Sequence, residues 1–142
     1  MHSTLKSSTE VIIRFSEVDS LTIVWHGHYI KYFEDAREKF GRDYGLGYLD
    51  VYNYGFVTPI VKVECDFKKP LKYGEKAIVE AIYVNTPAAK IHFRFKVYNA
   101  ANMELVATGS STQVFLTREN FELYLTIPDF YAAWKKKVGI KE

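Results

Sequence analysis

The sequence holds a single cysteine, Cys65, in 142 residues. That excludes an internal disulfide framework and fits a reducing compartment. Long apolar runs are missing: none approaches the ~20 residues that a bilayer span requires. The opening residues Met1-His2-Ser3-Thr4-Leu5-Lys6 lack the apolar core of a secretory signal. Together these absences lead us to expect a cytoplasmic protein without a membrane span. An excess of one charge is missing too, with 19 Lys and Arg against 17 Asp and Glu and a net charge of +2. Such a balance gives no argument for a nucleic-acid partner, although it leaves room for a local basic patch that meets phosphates. Signatures of familiar chemistry are equally sparse. There is no Gly-x-Ser-x-Gly nucleophile elbow, and no glycine-rich phosphate loop or dinucleotide fingerprint. No repeat, linker or low-complexity segment breaks the chain. Residues 1–142 are therefore expected to form one domain, long enough to bury a core.

What is present is aromatic and patterned. Aromatic residues make up 16%, with 11 Tyr and 10 Phe, which suits a sheet with a large half-buried face. After a loose polar start over residues 1–8, Val11, Ile13 and Phe15 alternate with Ile12 and Arg14, the period of a first strand. From Tyr29 to about Tyr44 the period changes. Tyr29, Phe33, Ala36, Phe40 and Tyr44 recur at three- and four-residue spacing, as on one face of a long amphipathic helix. Gly45 or Gly47 suits its left-handed cap, and residues 46–56 read as a loop. Four strands follow. The first puts Val61, Val63, Cys65 and Phe67 on one face. The second is built on Ala77–Val84, the third on Ile91–Tyr98, and the fourth on Leu105–Leu116 with a small, polar middle at Thr108–Thr112. Small strand residues admit a close neighbour, here the helix or another subunit. Pro128 and Asp129 open a short last helix, and Lys135–Lys137 suit its C-terminal end. The expected class is α+β: a five-stranded antiparallel sheet curled around one long central helix, with a short C-terminal helix.

Residues 14–37 bring a carboxylate, an imidazole and a helix start within a dozen positions. Asp19 follows a strand, and His26-Gly27-His28 stands at the mouth of the long helix. These are parts of an acyl-transfer or hydrolysis site: a base or nucleophile, a polariser, and backbone N–H groups for an oxyanion. Each residue also has a plainer reading. Asp19 suits a turn in which it bonds its own backbone. His26 suits a helix-entry position bonded to a carbonyl. His26 and His28 with Asp19 or Glu34 offer three metal ligands, but no second cluster supports a metal, and neither metal nor cofactor is expected. Cys65 lies mid-strand and reads as packing. His2 and His92 read as tail and sheet-surface residues. Arg94 and Lys96 read as a solvated sheet face, or as phosphate ligands beside a site that receives a phosphorylated carrier.

The residues Arg14-Phe-Ser-Glu17-Val-Asp19, then Val24-Trp25-His26-Gly27-His28-Tyr29, then Phe33-Glu34-Asp35-Ala36-Arg37 resemble the hot-dog-fold acyl-CoA thioesterases. The similarity points to the 4-hydroxybenzoyl-CoA thioesterase group and its Tol–Pal-associated acyl-CoA relatives. It continues through Val57–Val61, Phe67–Glu75 and Ala107–Ser110, and covers roughly residues 10–135. The resemblance implies that Asp19 is the catalytic carboxylate, as nucleophile or as general base for water. It puts His26 where one branch has a histidine and another a tyrosine whose backbone N–H polarises the thioester carbonyl. Unpaired amides at a helix start favour negative charge, so the amides at His26 and Gly27 are the expected oxyanion donors. The His26 ring is expected to assist proton transfer or orient the thioester, since an imidazole exchanges protons near neutral pH. Thr58 is implied to border the acyl pocket. Lys90, Arg94 and Arg118 are candidates for the CoA phosphates. The family places its sites between two subunits, so a homodimer is implied and a homotetramer is common. Three positions depart from the family pattern: Thr22 stands where glycine is frequent, Phe15 where one branch has tyrosine, and His28 where asparagine is frequent. The expected reaction is hydrolysis of an acyl-CoA to a carboxylic acid and CoA. Two rivals remain: hydrolysis of an acyl group from acyl carrier protein, and a non-catalytic acyl-binding module. A hot-dog dehydratase fits less well, because its proline-rich histidine motif and helix glutamate are not evident.

Overall fold

The computed structural model describes residues 4–140, so His2 lies outside the described residues. The strands are β1 (Lys6–Ile12), β2 (Phe56–Val57), β3 (Ile60–Phe67), β4 (Lys76–Val84), β5 (Lys90–Asn99), β6 (Leu105–Val114) and β7 (Leu116–Thr117). The helices are α1 (His28–Tyr44), α2 (Tyr48–Asn53) and α3 (Asp129–Lys137). Five strands form one antiparallel sheet in the order β1-β4-β5-β6-β3. β2 and β7 pair separately, Val57 opposite Leu116. The long helix rests in the curve of the sheet with a short helix closing one end, which is the expected hot-dog arrangement.

The core follows from the two periodicities. Ala77, Val79, Ala81 and Tyr83 on β4 and Ile91, Phe93, Phe95 and Val97 on β5 are buried, facing Phe33, Ala36 and Phe40 of α1. Phe33 stacks on Phe95 with ring centroids 4.5 Å apart, and Phe40 meets Phe93 edge to face at 4.9 Å. Gly45 ends α1 in the left-handed conformation at φ 73°, where a missing Cβ removes the steric cost. The small middle of β6 serves the helix. A Cβ on Gly109 would stand 2.4 Å from Phe33 ring carbons and 2.7 Å from the Glu64 carbonyl oxygen.

Four local expectations change. The polar opening is not loose: Lys6–Ser8 pair with Ile82–Glu80 as the first half of β1. Ser7 points inward and its hydroxyl donates to Asp43 Oδ2 at 2.6 Å, so ladder bonds and one polar contact make the strand without apolar alternation. β1 stops at Ile12, and Phe15 sits exposed in a 3-10 turn, Phe15–Glu17, closed by the Arg14 N–H donating to Glu17 Oε1 at 2.8 Å. The segment 46–56 contains α2, capped by Asp50 Oδ2 accepting the Gly47 N–H at 2.8 Å. Six residues are too few to show a helical stripe. The long last strand breaks at Phe115, because β7 leaves the main sheet to pair with β2.

In α3, Lys135 is buried rather than solvated. Its Nζ donates to the Thr86 carbonyl at 2.9 Å and lies 5.0 Å from the centroid of the Tyr131 ring. Trp134 Nε1 donates to the Tyr44 carbonyl at 2.7 Å and ties α3 to the end of α1. The inner row of β3 is the largest difference. Val61 and Phe67 are 59% and 52% exposed, because α1 lies nearer β1 and β4 and leaves this edge uncovered. None of the described helices is long and apolar enough to cross a membrane. The close seat of α1 generates a test: Gly109→Ala should destabilise the protein by about 1–3 kcal/mol through overpacking, read as a fall in thermal denaturation midpoint.

Candidate active site

The stretch between β1 and α1 is a small hairpin. Val18 bridges Val24, the Asp19 N–H donates to the Ile23 carbonyl at 2.9 Å, and the Thr22 N–H donates to the Asp19 carbonyl at 2.9 Å. Thr22 lies in the left-handed region at φ 65°. This is the position where the family pattern has glycine, and a β-branched residue there is strained. Below the hairpin tip, the Trp25 N–H donates to the Glu17 carbonyl at 2.9 Å, which pins the two arms together. Glu17 itself is buried. Burial, and next the charge of Glu17, pushes the Tyr32 phenol on α1 above its ordinary range. The hairpin also leans on the β3–β4 connection, where Ile23 bridges Lys72 and the Val24 N–H donates to the Leu71 carbonyl at 2.8 Å.

This frame holds Asp19 exposed at the tip. Asp19 Oδ1 accepts the Leu21 N–H at 2.8 Å, so the turn reading is correct for one oxygen. Oδ2 has no hydrogen-bond partner among the described residues and is available to a substrate. Three residues beyond Ile23 the chain reaches His26, in the turn that opens α1. No hydrogen bond joins Asp19 to His26 among the described residues.

At His26 the chain turns into α1. The His28 and Tyr29 N–H groups close the first turn on the Trp25 and His26 carbonyls at 3.0 and 3.3 Å, whereas the His26 and Gly27 N–H groups donate to no backbone acceptor among the described residues. Free amides at the start of a 17-residue helix are donors for a developing oxyanion. The half-exposed Trp25 ring folds over Gly27, where a Cβ would lie 2.1 Å from Trp25 Cζ3 unless the ring swung aside. The exposed His26 ring lies against Trp25 at 4.9 Å and Phe67 at 6.2 Å between centroids. His28, partly buried, meets the edge of Trp25 at 5.6 Å. Burial raises Tyr29 to about 12, so its phenol stays protonated at neutral pH. Cys65, half-buried on β3, is raised to about 11 by burial and then by the charge of Asp66. A thiol so held is not a neutral-pH nucleophile. No cluster among the described residues groups three metal-ligating side chains.

The remaining expected site residues are scattered in the single chain. Thr58 lies just before β3, and its carbonyl and hydroxyl oxygens accept Gln113 Nε2 at 2.7 and 3.2 Å. It lines a cavity of about 240 Å³ between α1, α2 and the sheet. The far end of β3 carries Phe67, beside His26, and an eight-residue strand puts the two ends about 23 Å apart. Lys90 opens β5, and Arg94 is exposed on the outer face of the same strand, opposite Ser110. Arg118 clamps α2: Nη1 donates to the Tyr52 carbonyl at 2.8 Å, Nε pairs with Glu119 at 3.2 Å, and its carbon lies 5.0 Å over the Tyr52 ring. Sequence reasoning quoted Glu17 within the family-like stretch but gave it no role, and it missed Gln113, whose spacing carries no motif; the folded contacts single out both.

Over residues 13–134 the sequence matches the thioesterase-like superfamily. The chain belongs to that superfamily. A Bacillus subtilis protein named "Putative acyl-CoA thioesterase YneP" is 30% identical over 133 residues, covering 92% of this chain and 96% of the relative. A chloroplastic acyl-acyl carrier protein thioesterase, ATL3 of Arabidopsis thaliana, is 27% identical over 107 residues, covering 75% of this chain and 56% of its own. The solved DHNA-CoA thioesterase of Staphylococcus aureus superposes with a TM-score of 0.82 at 26% identity, covering 93% of this chain and 90% of that one. The chain is a thioester hydrolase of the hot-dog fold. The strained turn beside Asp19 gives a test of the local geometry. Thr22→Gly should stabilise the protein by up to about 1 kcal/mol, the left-handed cost removed less the entropy glycine loses, as measured by denaturant unfolding.

Proposed function

We propose that this protein hydrolyses an acyl-CoA thioester to a carboxylic acid and CoA in the cytoplasm, with Asp19 as the catalytic carboxylate. One observation carries the reading: a carboxylate with a free oxygen stands on the hairpin that leads into two unpaired amides at the start of α1. The thioester oxygen would face the His26 and Gly27 N–H groups, whose donors meet the negative charge that forms as the carbonyl is attacked. Asp19 would take a proton from water as the hydroxyl adds to the carbonyl carbon. The tetrahedral species then expels CoA as a thiolate, and the proton held by Asp19 passes to that sulfur. The alternative course adds an Asp19 oxygen directly, expels the thiolate, and forms an acyl–Asp19 anhydride that water cleaves. The seven-residue spacing from Asp19 to His26 favours the 4-hydroxybenzoyl-CoA and Tol–Pal-associated branch over other hot-dog enzymes. We assign Lys90 and Arg94 to the CoA phosphates. Arg118 joins them only by exchanging Glu119 for phosphate. The acyl-carrier reading is kept because the Arabidopsis relative bears that name. Comparing rates on matched CoA and carrier-protein thioesters separates the two.

The single chain leaves an apolar edge that a second copy would cover. β3 is an outer strand of the sheet, and its inner row, Val61, Val63 and Phe67, is exposed. An edge with unpaired backbone groups and an apolar row is a template for pairing with another strand. Antiparallel pairing of two β3 edges would bring one copy's Thr58 end beside the other copy's Phe67 and His26. Acyl pocket and amides would then come from different subunits, as a homodimer, or as a tetramer built from two such pairs.

Two measurements test this. Asp19→Asn should lower turnover at least ~100-fold with an unchanged melting midpoint. Near-wild-type thiol release across short, long and aromatic acyl-CoAs would sink the mechanism. Val63→Glu should shift the sedimentation coefficient to that of a monomer and abolish activity together with it. An active monomer refutes the shared site.

A further inference from the structure

The hairpin that carries Asp19 meets α1 over a buried hydroxyl. Tyr32 on α1 is 2% exposed. Its hydroxyl and that of Ser111 are the buried side-chain groups among the described residues that complete no hydrogen bond. Such a group is costly and native structures keep few of them. A phenylalanine would fill the same space without that cost, so the oxygen calls for a use. Glu17 is what faces it. Both residues line a cavity of about 660 Å³ between β1 and α1, and Glu17 is itself only 5% exposed. Glu17 Oε1 accepts the Arg14 N–H at 2.8 Å, which leaves Oε2 for a second donor. The nearness is felt by the phenol. After burial, the charge of Glu17 and hydrogen bonding to it push Tyr32 upward, ahead of Tyr29 and Asp35. Hydroxyl and carboxylate thus stand opposite each other, short of a regular bond. Sites without substrate commonly hold such contacts long or misaligned and tighten them on binding.

We propose that Tyr32 is a positioning residue: with substrate bound, its hydroxyl donates to Glu17 Oε2 and fixes the arm that carries Asp19 against the amides at the start of α1. Glu17 is suited to pass this on. It stands two residues before Asp19, and its carbonyl accepts the N–H of Trp25, the neighbour of His26. Tyr32 lies four residues after His28, about 6 Å along the helix axis, so it reaches the hairpin from the rigid first turns of α1. Among the described residues no hydrogen bond ties residues 14–19 to α1. The hairpin hangs instead on its own backbone bonds and on the β3–β4 connection through the Leu71 carbonyl. The distance from Asp19 to the amides is therefore the quantity that a Tyr32–Glu17 bond would set. A misplacement of about 1 Å at reacting groups can cost about a hundredfold in rate. The assignment rests on Asp19 acting as the catalytic carboxylate.

The test measures kcat and KM for thiol release from acetyl-CoA, palmitoyl-CoA and benzoyl-CoA. The proteins compared are the wild type, Tyr32→Phe, Glu17→Gln, the double variant and Asp19→Asn. On the substrate that the wild type turns over fastest, Tyr32→Phe should lower kcat about tenfold with KM within about threefold. Its thermal midpoint should be no lower than that of the wild type, because the ring still fills its space and only a buried hydroxyl is lost. Glu17→Gln keeps an acceptor for the Arg14 N–H and should lower kcat by a similar factor. The double variant should fall no further than the larger single effect, as for two ends of one contact. A Tyr32→Phe kcat within about twofold of the wild type overturns the proposal. So do additive losses in the double variant, or a loss confined to KM or to the thermal midpoint. Should Glu17→Gln fail to fold, the kcat and KM of Tyr32→Phe decide alone. Near-wild-type hydrolysis by Asp19→Asn refutes the Asp19 reading and this assignment with it. An inactive Asp19→Asn beside an unimpaired Tyr32→Phe refutes this assignment alone.

Discussion

The contact between the Phe33 ring and the bare backbone of Gly109 sets the spacing on which the other parts depend. With no side chain at Gly109, the Phe33 ring of α1 reaches the β6 backbone and stacks on Phe95. That depth lets Ala36 and Phe40 reach the β4–β5 surface and fixes the height of the helix start above the sheet. Aromatic pairs in such offset and edge-on contacts add to what area burial alone supplies. At the other end of α1, Trp134 and the buried Tyr83–Tyr131 hydroxyl pair hold α3 against the closing turn. The helix is clamped at its middle and its end, so its N-terminus is presented as a rigid feature.

What meets that N-terminus is a hairpin tied down at several points. Glu17 does two jobs: its carboxylate closes the 3-10 turn on the Arg14 N–H, and its carbonyl receives Trp25. The strand before Asp19 and the segment before His26 therefore cannot move independently. Thr22 pays for the tightness of the tip with a left-handed backbone, the kind of local strain that persists where the surroundings over-determine it. One Asp19 oxygen is consumed by the turn and one is left outward. The same carboxylate thus serves the turn and keeps an oxygen for the catalytic role proposed for it.

The same seating of α1 explains the uncovered edge. A helix displaced toward β1 and β4 buries their inner rows and leaves that of β3 open. Asp19 and the amides lie at one end of this edge and the Thr58 cavity at the other. Within one chain these halves do not meet. The proposed pairing of two edges would join them, because an antiparallel pair of strands brings opposite ends together by symmetry.

Much of this was legible from residues alone. The period of 3.6 over residues 29–44 and the alternation in β4 and β5 are statements about which side chains can share one face, and burial follows from them. Asp19, His26 and Gly27 stood out because a carboxylate, an imidazole and a helix start fall close in the chain. Local spacing failed where distant contacts decide. The polar residues of β1 became a strand only through pairing with β4, α2 was too short to show a stripe, and Lys135 was buried by Thr86 and Tyr131 rather than left at a solvated end. The sequence by itself determined the α+β layering and the stretch to which the proposed chemistry is assigned, since both rest on neighbours within a few residues. Only the tertiary structure decided which apolar row is left open and that Arg37 comes to line the cavity beside Thr58. Both depend on how far one helix settles into the sheet, and no local pattern encodes that depth.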